Sequence, residues 1–328
     1  MNKKLIGYAA LFGAIALLPM LSAYPIFVMK VLCYALFACA FNLLIGFTGL
    51  LSFGHAAFLG TAGYVCGHAL KVWGLPTPLG LVAGTAAAAA VGLLFGLLAI
   101  RRSGIYFAMI TLALAQMLYF YFLQAPFTGG EDGLQAVPRG SFLGLNLEND
   151  LVLFYVVLGL FIAAFWLIYR TVHSPFGQVL TSIRENEARA TSLGYDTAHF
   201  KLLAFVLSAA LAGLAGATKT LVLGFATLTD AIWTTSGLVI LMTLVGGMGT
   251  LVGPMVGALV IIALENKIGD LGNLLADVTG IAWFNGLGES VSLVTGLIFI
   301  VCVLAFRRGL VGEAMALWEK LATKRRAA

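Results

Sequence analysis

Charge is what this chain has least of. Of its 328 residues only 10% are Asp, Glu, Lys or Arg, against 61% hydrophobic, and the mean hydropathy is +1.02. That balance excludes a water-soluble globular domain of ordinary make-up, and the chain reads as an all-α, polytopic integral membrane protein. Cysteine is also scarce. Cys33, Cys39, Cys66 and Cys302 stand in apolar surroundings without CxxC or Cys/His spacing, which leaves neither a disulfide framework nor a zinc site and makes them packing residues. No HExxH, GxSxG or GxxxxGK[ST] occurs, and no paired carboxylates lie within the apolar runs. An intrinsic enzyme is therefore not expected, nor a bound cofactor or metal, and a chain without a nucleotide-binding loop does not hydrolyse ATP by itself. The net charge of +5 is a matter of topology here and not of nucleic acid.

What the chain does have is long apolar runs. Residues 5–29, 31–70, 72–100, 103–130, 151–169, 202–218, 231–264 and 290–306 carry no Asp, Glu, Lys or Arg. A span needs about 20 residues, and 31–70 as one helix would reach ~60 Å, twice the hydrocarbon thickness. The two longest runs must fold back, and glycine clusters mark where: Gly46-Phe47-Thr48-Gly49 with Gly54, and Gly246-Gly247-Met248-Gly249 with Gly253-Pro254. About ten membrane segments result, of which 55–70 and 236–246 are short or re-entrant.

An N-inside start places Lys3, Lys4, Arg101, Arg102, Arg170, Arg184, Arg189, Lys201, Arg307, Arg308, Lys320, Lys324, Arg325 and Arg326 on the cytoplasmic side, 14 of the 19 basic residues. Glu131, Asp132, Glu148, Asp150, Asp230, Asp270, Asp277 and Glu289 then fall outside, and both termini are cytoplasmic. Lys3-Lys4 and the run up to Pro19 read as an uncleaved first helix, since no small-x-small cleavage site follows. One transmembrane domain is expected over 1–310 and a cytoplasmic amphipathic tail over 311–328.

Two kinds of hydrophilic segment interrupt the runs. On the cytoplasmic side, Ser174-Pro175 has the form of an N-cap followed by Pro at the first helical position, and Gly194 suits the residue that ends a helix, which predicts a helix over 175–194. Phe176, Val179, Leu180 and Ile183 form its apolar stripe. Gln178, Ser182, Arg184, Glu185 and Arg189 lie largely off it, with Glu185 and Arg189 spaced for an i,i+4 pair. Such a helix lies at the membrane surface, either as a connector resting on lipid headgroups or as a docking element. On the outer side the turn-rich loop 124–150 and the near-helical stretch 267–289 form a modest acidic rim.

Ionisable residues near membrane depth are few. Lys30, Lys219 and Glu265 stand close enough to outer span ends to snorkel. His55 reads as a capping or hydrogen-bonded histidine rather than a proton carrier. The uncharged polar residues Asn42, Thr48, Ser52, Thr111, Gln116, Ser208, Thr234, Thr235 and Thr243, with Gly49, Gly246, Gly249 and His55 at the fold-backs, suit a weakly hydrogen-bonding translocation path and suit helix packing equally well. Gly46-x-x-Gly49-Leu50-Leu51 aligns with Gly246-x-x-Gly249-Thr250-Leu251, a short sign of an internal repeat.

Three segments in order, Asn42-Leu-Leu-Ile-Gly-Phe-Thr-Gly-Leu-Leu-Ser-Phe-Gly-His-Ala-Ala-Phe-Leu-Gly60, Gly104-Ile-Tyr-Phe-Ala-Met-Ile-Thr-Leu-Ala-Leu-Ala-Gln116 and Phe176-Gly-Gln-Val-Leu-Thr-Ser-Ile-Arg-Glu-Asn-Glu-Ala188, with Gly246-Gly-Met-Gly-Thr-Leu-Val-Gly-Pro-Met-Val-Gly257 behind them, resemble the LivM-type permeases of branched-chain amino acid ABC importers. The resemblance runs from about residue 26 to Phe306. It implies a bacterial inner-membrane subunit paired with a LivH-type paralogous permease, served by a periplasmic substrate-binding protein and driven by two cytoplasmic ABC ATPase subunits that use the ATP. It also implies that Phe176 to Gly194, including Gln178, Ile183, Arg184, Glu185, Asn186, Glu187 and Arg189, is the coupling helix that docks in an ATPase groove. Similar permeases carry urea or short amides, so urea is the alternative substrate within the class. Outside the class stand an ion-coupled secondary transporter using Glu265, Lys219 or His55, and a scaffold subunit with no transport role for Gly49 or Gly249.

Overall fold

The computed structural model describes residues 3–21, 24–142, 144–279, 296, 297, 300 and 309–313. Eleven α-helices follow one another among them: α1 (Lys3–Leu17), α2 (Pro25–Thr48), α3 (His55–Lys71), α4 (Thr77–Ala99), α5 (Ile105–Gln124), α6 (Asp150–Val172), α7 (Pro175–Glu185), α8 (Glu187–Ser192), α9 (Thr197–Leu223), α10 (Trp233–Gly246) and α11 (Gly253–Thr279). The one ladder among the described residues is the two-residue antiparallel pair β1 (Ser141–Phe142) and β2 (Leu145–Asn146), with Ser141 opposite Asn146. The chain is all-α, as its composition requires.

Five helices, α2, α4, α5, α6 and α9, are long and apolar enough to cross a membrane. At about 1.5 Å per residue each reaches ~30 Å or more. The sequence expects about ten such segments. The shortfall among the described residues has a physical reason: α1, α3 and α10 have 15, 17 and 14 residues, and α11 carries Glu265, Lys267, Asp270 and Asp277 along its 27. The expected outer stretch 267–289 continues α11 through Thr279, and its remainder, like the tail beyond residue 313, lies outside the described residues. Cys302 also lies outside them, while Cys33, Cys39 and Cys66 are free and buried.

The chain divides into two compact units, Met1–Gly237 and Leu238–Ala328. In the first, α9 is the central helix, packed against α2, α3 and α4, with α6 on the far side of α2. Small residues permit this. Ala204, Ala209, Ala212, Ala215 and Ala217 of α9 are all buried, and a Cβ on Gly216 would run into the Leu59 carbonyl of α3. Between apolar helices in lipid, contact of this kind supplies the association that water exclusion supplies elsewhere. Helix α1 lies on α6 through edge-to-face rings, Tyr8 with Phe165 at 5.7 Å and Phe12 with Phe165 at 5.3 Å. In the second unit α10 and α11 meet through backbone-close glycines: a Cβ on Gly246 or on Gly257 would strike the Gly253 or the Met242 carbonyl.

Past the end of α9 the chain turns back along α3. Leu134 and Ala226 exchange backbone hydrogen bonds of 2.8 and 2.9 Å, the Val137 amide donates to the Gly224 carbonyl at 2.8 Å, and a Cβ on Gly60 would meet Ala231 Cβ at 2.7 Å. Within this segment Asp230 accepts from Lys219, both side chains being 8% exposed, and the Lys219 ammonium stands 5.5 Å from the centre of the Tyr34 ring. This corrects the expectation that Lys219 snorkels; Asp230, expected on the outer side, is its buried partner. Burying two charges is tolerable only when they meet, and the pairing of residues eleven apart across a helix break leaves no local signal.

Candidate functional site

Two local features meet at one end of the first unit: the amphipathic pair α7–α8 and the turn between α2 and α3. Helix α7 forms where its sequence directs. The Ser174 hydroxyl accepts from the Gly177 amide at 3.4 Å, and Pro175 occupies the first turn. Such a cap contributes about 1 kcal/mol. Gly177 lets the helix close on its predecessor, since a Cβ there would lie 2.6 Å from the Thr171 carbonyl oxygen. Leu180 and Ile183 are buried, worth about 2 kcal/mol each relative to exposure, and α7 rests on α2, α6 and α9. Phe176 stacks on Phe200 of α9 at 5.6 Å. Gln178, Ser182 and Glu185 face outward and are exposed.

The single helix expected over 175–194 is broken. Asn186 takes an extended conformation (φ −158°, ψ 99°), ends α7, and starts α8 by accepting the Arg189 amide on its side chain at 3.0 Å. Asn is a strong N-cap, which is why the helix restarts there and not at the glycine. Glu185 and Arg189 consequently fall on either side of the break rather than on one helical face. Glu187, which the resemblance includes in the coupling helix, accepts from Lys201 at 2.5 Å, and Lys201 is only 4% exposed. That pair fastens α8 to the second turn of α9, whose N-cap is Asp196. Gly194, at φ 91°, carries the chain between them.

Arg184, though exposed, reaches back to the end of α2. Its guanidinium donates to the carbonyl of Gly46 in the last turn of α2, and its Cγ lies 3.1 Å from where a Cβ on Gly49 would be. The backbone accounting of that turn explains the vacancy Arg184 fills. The Gly49 and Leu50 amides and the Thr48 hydroxyl all donate to the Leu44 carbonyl. The amide four residues beyond Gly46 is therefore used elsewhere, and a cation at a helix C-terminus is favoured by the dipole as well. Gly49 itself, at φ 75°, ends α2 in a left-handed conformation that only glycine adopts freely.

From the opposite side the same turn is held by α5. The Phe53 amide donates to Thr111 Oγ1 at 3.2 Å, Thr111 Oγ1 donates to the Ala108 carbonyl at 2.9 Å, and Gly54 lies so close that a Cβ would meet the Thr111 carbonyl oxygen at 2.6 Å. Ser52, fully buried, accepts from the Gly54 amide at 3.2 Å. Of the path candidates, then, Thr48, Gly49, Ser52 and Thr111 come together at one turn. Asn42 is buried on α2 and Gln116 is half-buried on α5, where its Oε1 has no hydrogen-bond partner. Thr243 donates to the Val239 carbonyl within α10, and Gly246 and Gly249 belong to the α10–α11 turn of the second unit. Gly249, at φ 78°, matches Gly49 at φ 75°, and six residues separate the helices in both cases, 49–54 and 247–252.

His55 is fully buried, ringed by Phe37, Phe41, Phe58 and Phe205. Its Nε2 meets Ser208 Oγ at 2.8 Å, and Ser208 donates to the Ala40 carbonyl at 2.5 Å, so the ring donates from Nε2. The bond to Ser208 and the surrounding rings fit the reading of His55 as a hydrogen-bonded histidine. The residue that sequence reasoning names for a different role is Arg184. Its position four residues after Leu180 and one after Ile183, at the edge of the apolar stripe, is the signal that sets it within reach of α2.

The family described as branched-chain amino acid transport system / permease component matches residues 25–306. The chain belongs to that family. The match begins with α2, and α1 precedes it. Two curated relatives, each named high-affinity branched-chain amino acid transport system permease protein LivM, are 27% identical to it. One, from Escherichia coli (strain K12), aligns over 267 residues, 72% of this chain and 63% of its own length. The other, from Salmonella typhimurium, aligns over 245 residues, 66% and 56%. The chain thus spans somewhat over half the length of these relatives. A solved structure, PsaBC from Streptococcus pneumoniae in complex with Fab, covers 90% of this chain and 95% of its own at 15% identity, with a TM-score of 0.40 that is too low to bear on the fold. Family and apolar helices together make this a multi-pass membrane protein.

Proposed function

We propose that the chain is the transmembrane permease subunit of an ATP-binding-cassette importer that moves branched-chain amino acids across the bacterial inner membrane. The observation that carries the reading is α7. A short amphipathic helix, seated on three helices by Leu180 and Ile183 and presenting Gln178, Ser182 and Glu185 outward, is built to be gripped from one side and to move as a body with the bundle. Two ATPase subunits are the partners that would grip it, and they bind and hydrolyse the ATP, since this chain carries no nucleotide loop. A LivH-type paralogous permease completes the path, a periplasmic binding protein delivers the substrate, and lipid surrounds the apolar helices. The same reading puts α7 and both termini on the cytoplasmic side, with the α2–α3 and α10–α11 turns as paired fold-backs among about ten segments. Substrate class follows from the family and from the names of the relatives.

The ion-coupled alternative gains nothing from Lys219 or His55. Lys219 is engaged by Asp230, and His55 is enclosed by phenylalanines. The test is uptake of radiolabelled leucine into proteoliposomes holding the co-purified complex, with and without the ATPases, and with Glu185→Ala combined with Ser182→Ala. Uptake that requires ATP and falls at least about fivefold in the double variant, together with weaker ATPase retention, is the expected result. Leucine accumulated by this chain alone on an ion gradient would sink the proposal.

A further inference from the structure

The contact between Arg184 and the end of α2 joins the surface helix to the bundle at a point the packing of α7 does not require. Leu180 and Ile183 already seat the helix. Arg184 adds a directed, charge-assisted bond from the last turn of α7 to the last turn of α2, made to a carbonyl left without a helical partner. We infer that Arg184 is a positioning residue, the latch through which displacement of α7 is delivered to the α2–α3 turn. The inference rests on α7 being the ATPase-docking element.

Three features make the turn a receiver rather than a rigid stop. Gly49 has no side chain and a left-handed backbone, so the Arg184 methylenes lie directly against the chain reversal. Thr111 of α5 holds the far side of the same six residues through Phe53 and Gly54, so the turn is stretched between α7 and α5. The buried polar groups nearest the reversal, Thr48 and Ser52, satisfy themselves within it, and a shift of the turn moves them as a set. A rigid α7 pulled at its C-terminal end therefore changes the tension on the turn without unseating its own apolar stripe. Two arrangements of the turn, each favoured by one state of the ATPases, are what coupling needs.

The experiment compares wild type, Arg184→Ala, Arg184→Lys and, as a control at the other end of the bundle, Arg139→Ala, all in the complete reconstituted complex. It reads complex recovery, ATP hydrolysis, and leucine taken up per ATP. Arg184→Ala is expected to keep the complex and to keep hydrolysis within about twofold while uptake per ATP falls at least about tenfold. Arg184→Lys, retaining the charge but not the fork, is expected to regain part of that loss, and Arg139→Ala to leave uptake per ATP unchanged. Unaltered coupling in Arg184→Ala would overturn the latch. So would loss of ATPases and hydrolysis in parallel, which would make Arg184 a docking residue. Wild-type uptake that persists without ATPases would instead remove the underlying reading, a result the wild-type arm alone reports.

Discussion

Two arginines close two helices at opposite ends of the first unit, and they do so under different conditions. Arg184 meets the carbonyl of Gly46 at the end of α2; Arg139 donates to the Val222 carbonyl at the end of α9, at 3.1 Å, and to Asp150 at 2.6 Å. Around Arg139 the chain is held several times over, by the Leu134–Ala226 exchange, by the Val137–Gly224 bond and by the buried Lys219–Asp230 pair. Around Arg184 the reversal hangs on that guanidinium, on Thr111 and on a glycine in a left-handed conformation. Equivalent chemistry is a brace where it is redundant and a lever where it is nearly alone. The α9 end reads as fixed scaffold, and the α7 end as the part able to respond.

The strongest way to break the comparison is to dismantle the scaffold. Asp230→Ala leaves the Lys219 ammonium buried without its carboxylate, and removing one member of a buried pair costs about 3–5 kcal/mol. Thermal unfolding of the purified chain in detergent should show a larger drop for Asp230→Ala than for Gly49→Ala or Arg139→Ala. Adding Lys219→Met to the same protein should return much of it, because the penalty lies in the stranded charge. If Asp230→Ala unfolds like wild type, the α9 end is not held as described.

At the other end the expected cost is smaller and local. Gly49→Ala places a Cβ at φ 75°, worth about 1–2 kcal/mol, and presses it against Arg184 Cγ at 3.1 Å. The same unfolding measurement should show a loss of that order, and it should shrink when Arg184 is also shortened to Ala, since part of the strain is the contact between the two. Additive losses would mean that Gly49 and Arg184 do not touch in the working protein.

How far the fold and the site can be read from the residues depends on the range of each interaction. Ser174-Pro175 announces α7 because a cap and a proline act within one turn, and the stripe Leu180–Ile183 shows its buried face by period alone. The break at Asn186 is equally local, and the asparagine is its sign; Gly194 draws the expected helix end well past it. The glycine clusters at 46–49 and 246–249 do stand where helices end. Out of reach are the long-range partners. That Arg184 answers Gly46, that Glu187 answers Lys201 and that Asp230 answers Lys219 depends on which helices become neighbours, and spacing within a run does not report it. His55 divides between the two. Its reading as a hydrogen-bonded histidine is met by Ser208, whereas four phenylalanines from α2, α3 and α9 converge on it only in the fold.

The finest discrimination between brace and lever comes from the smallest effect. In Arg139→Ala the lost pair with Asp150 is partly exposed, with side chains 23% and 45% accessible, so solvent screening holds its worth below ~1 kcal/mol. The bond to Val222 is backed by the neighbouring backbone hydrogen bonds, which keep residues 134–137 against 224–226 without it. A shift in the unfolding midpoint at the edge of detection is therefore expected, with proteolysis of the 126–149 segment no faster than in wild type. Rapid cleavage there would show that Arg139, and not the backbone bonds, holds that end, and the distinction between a redundant arginine and a solitary one would collapse into two levers of the same kind.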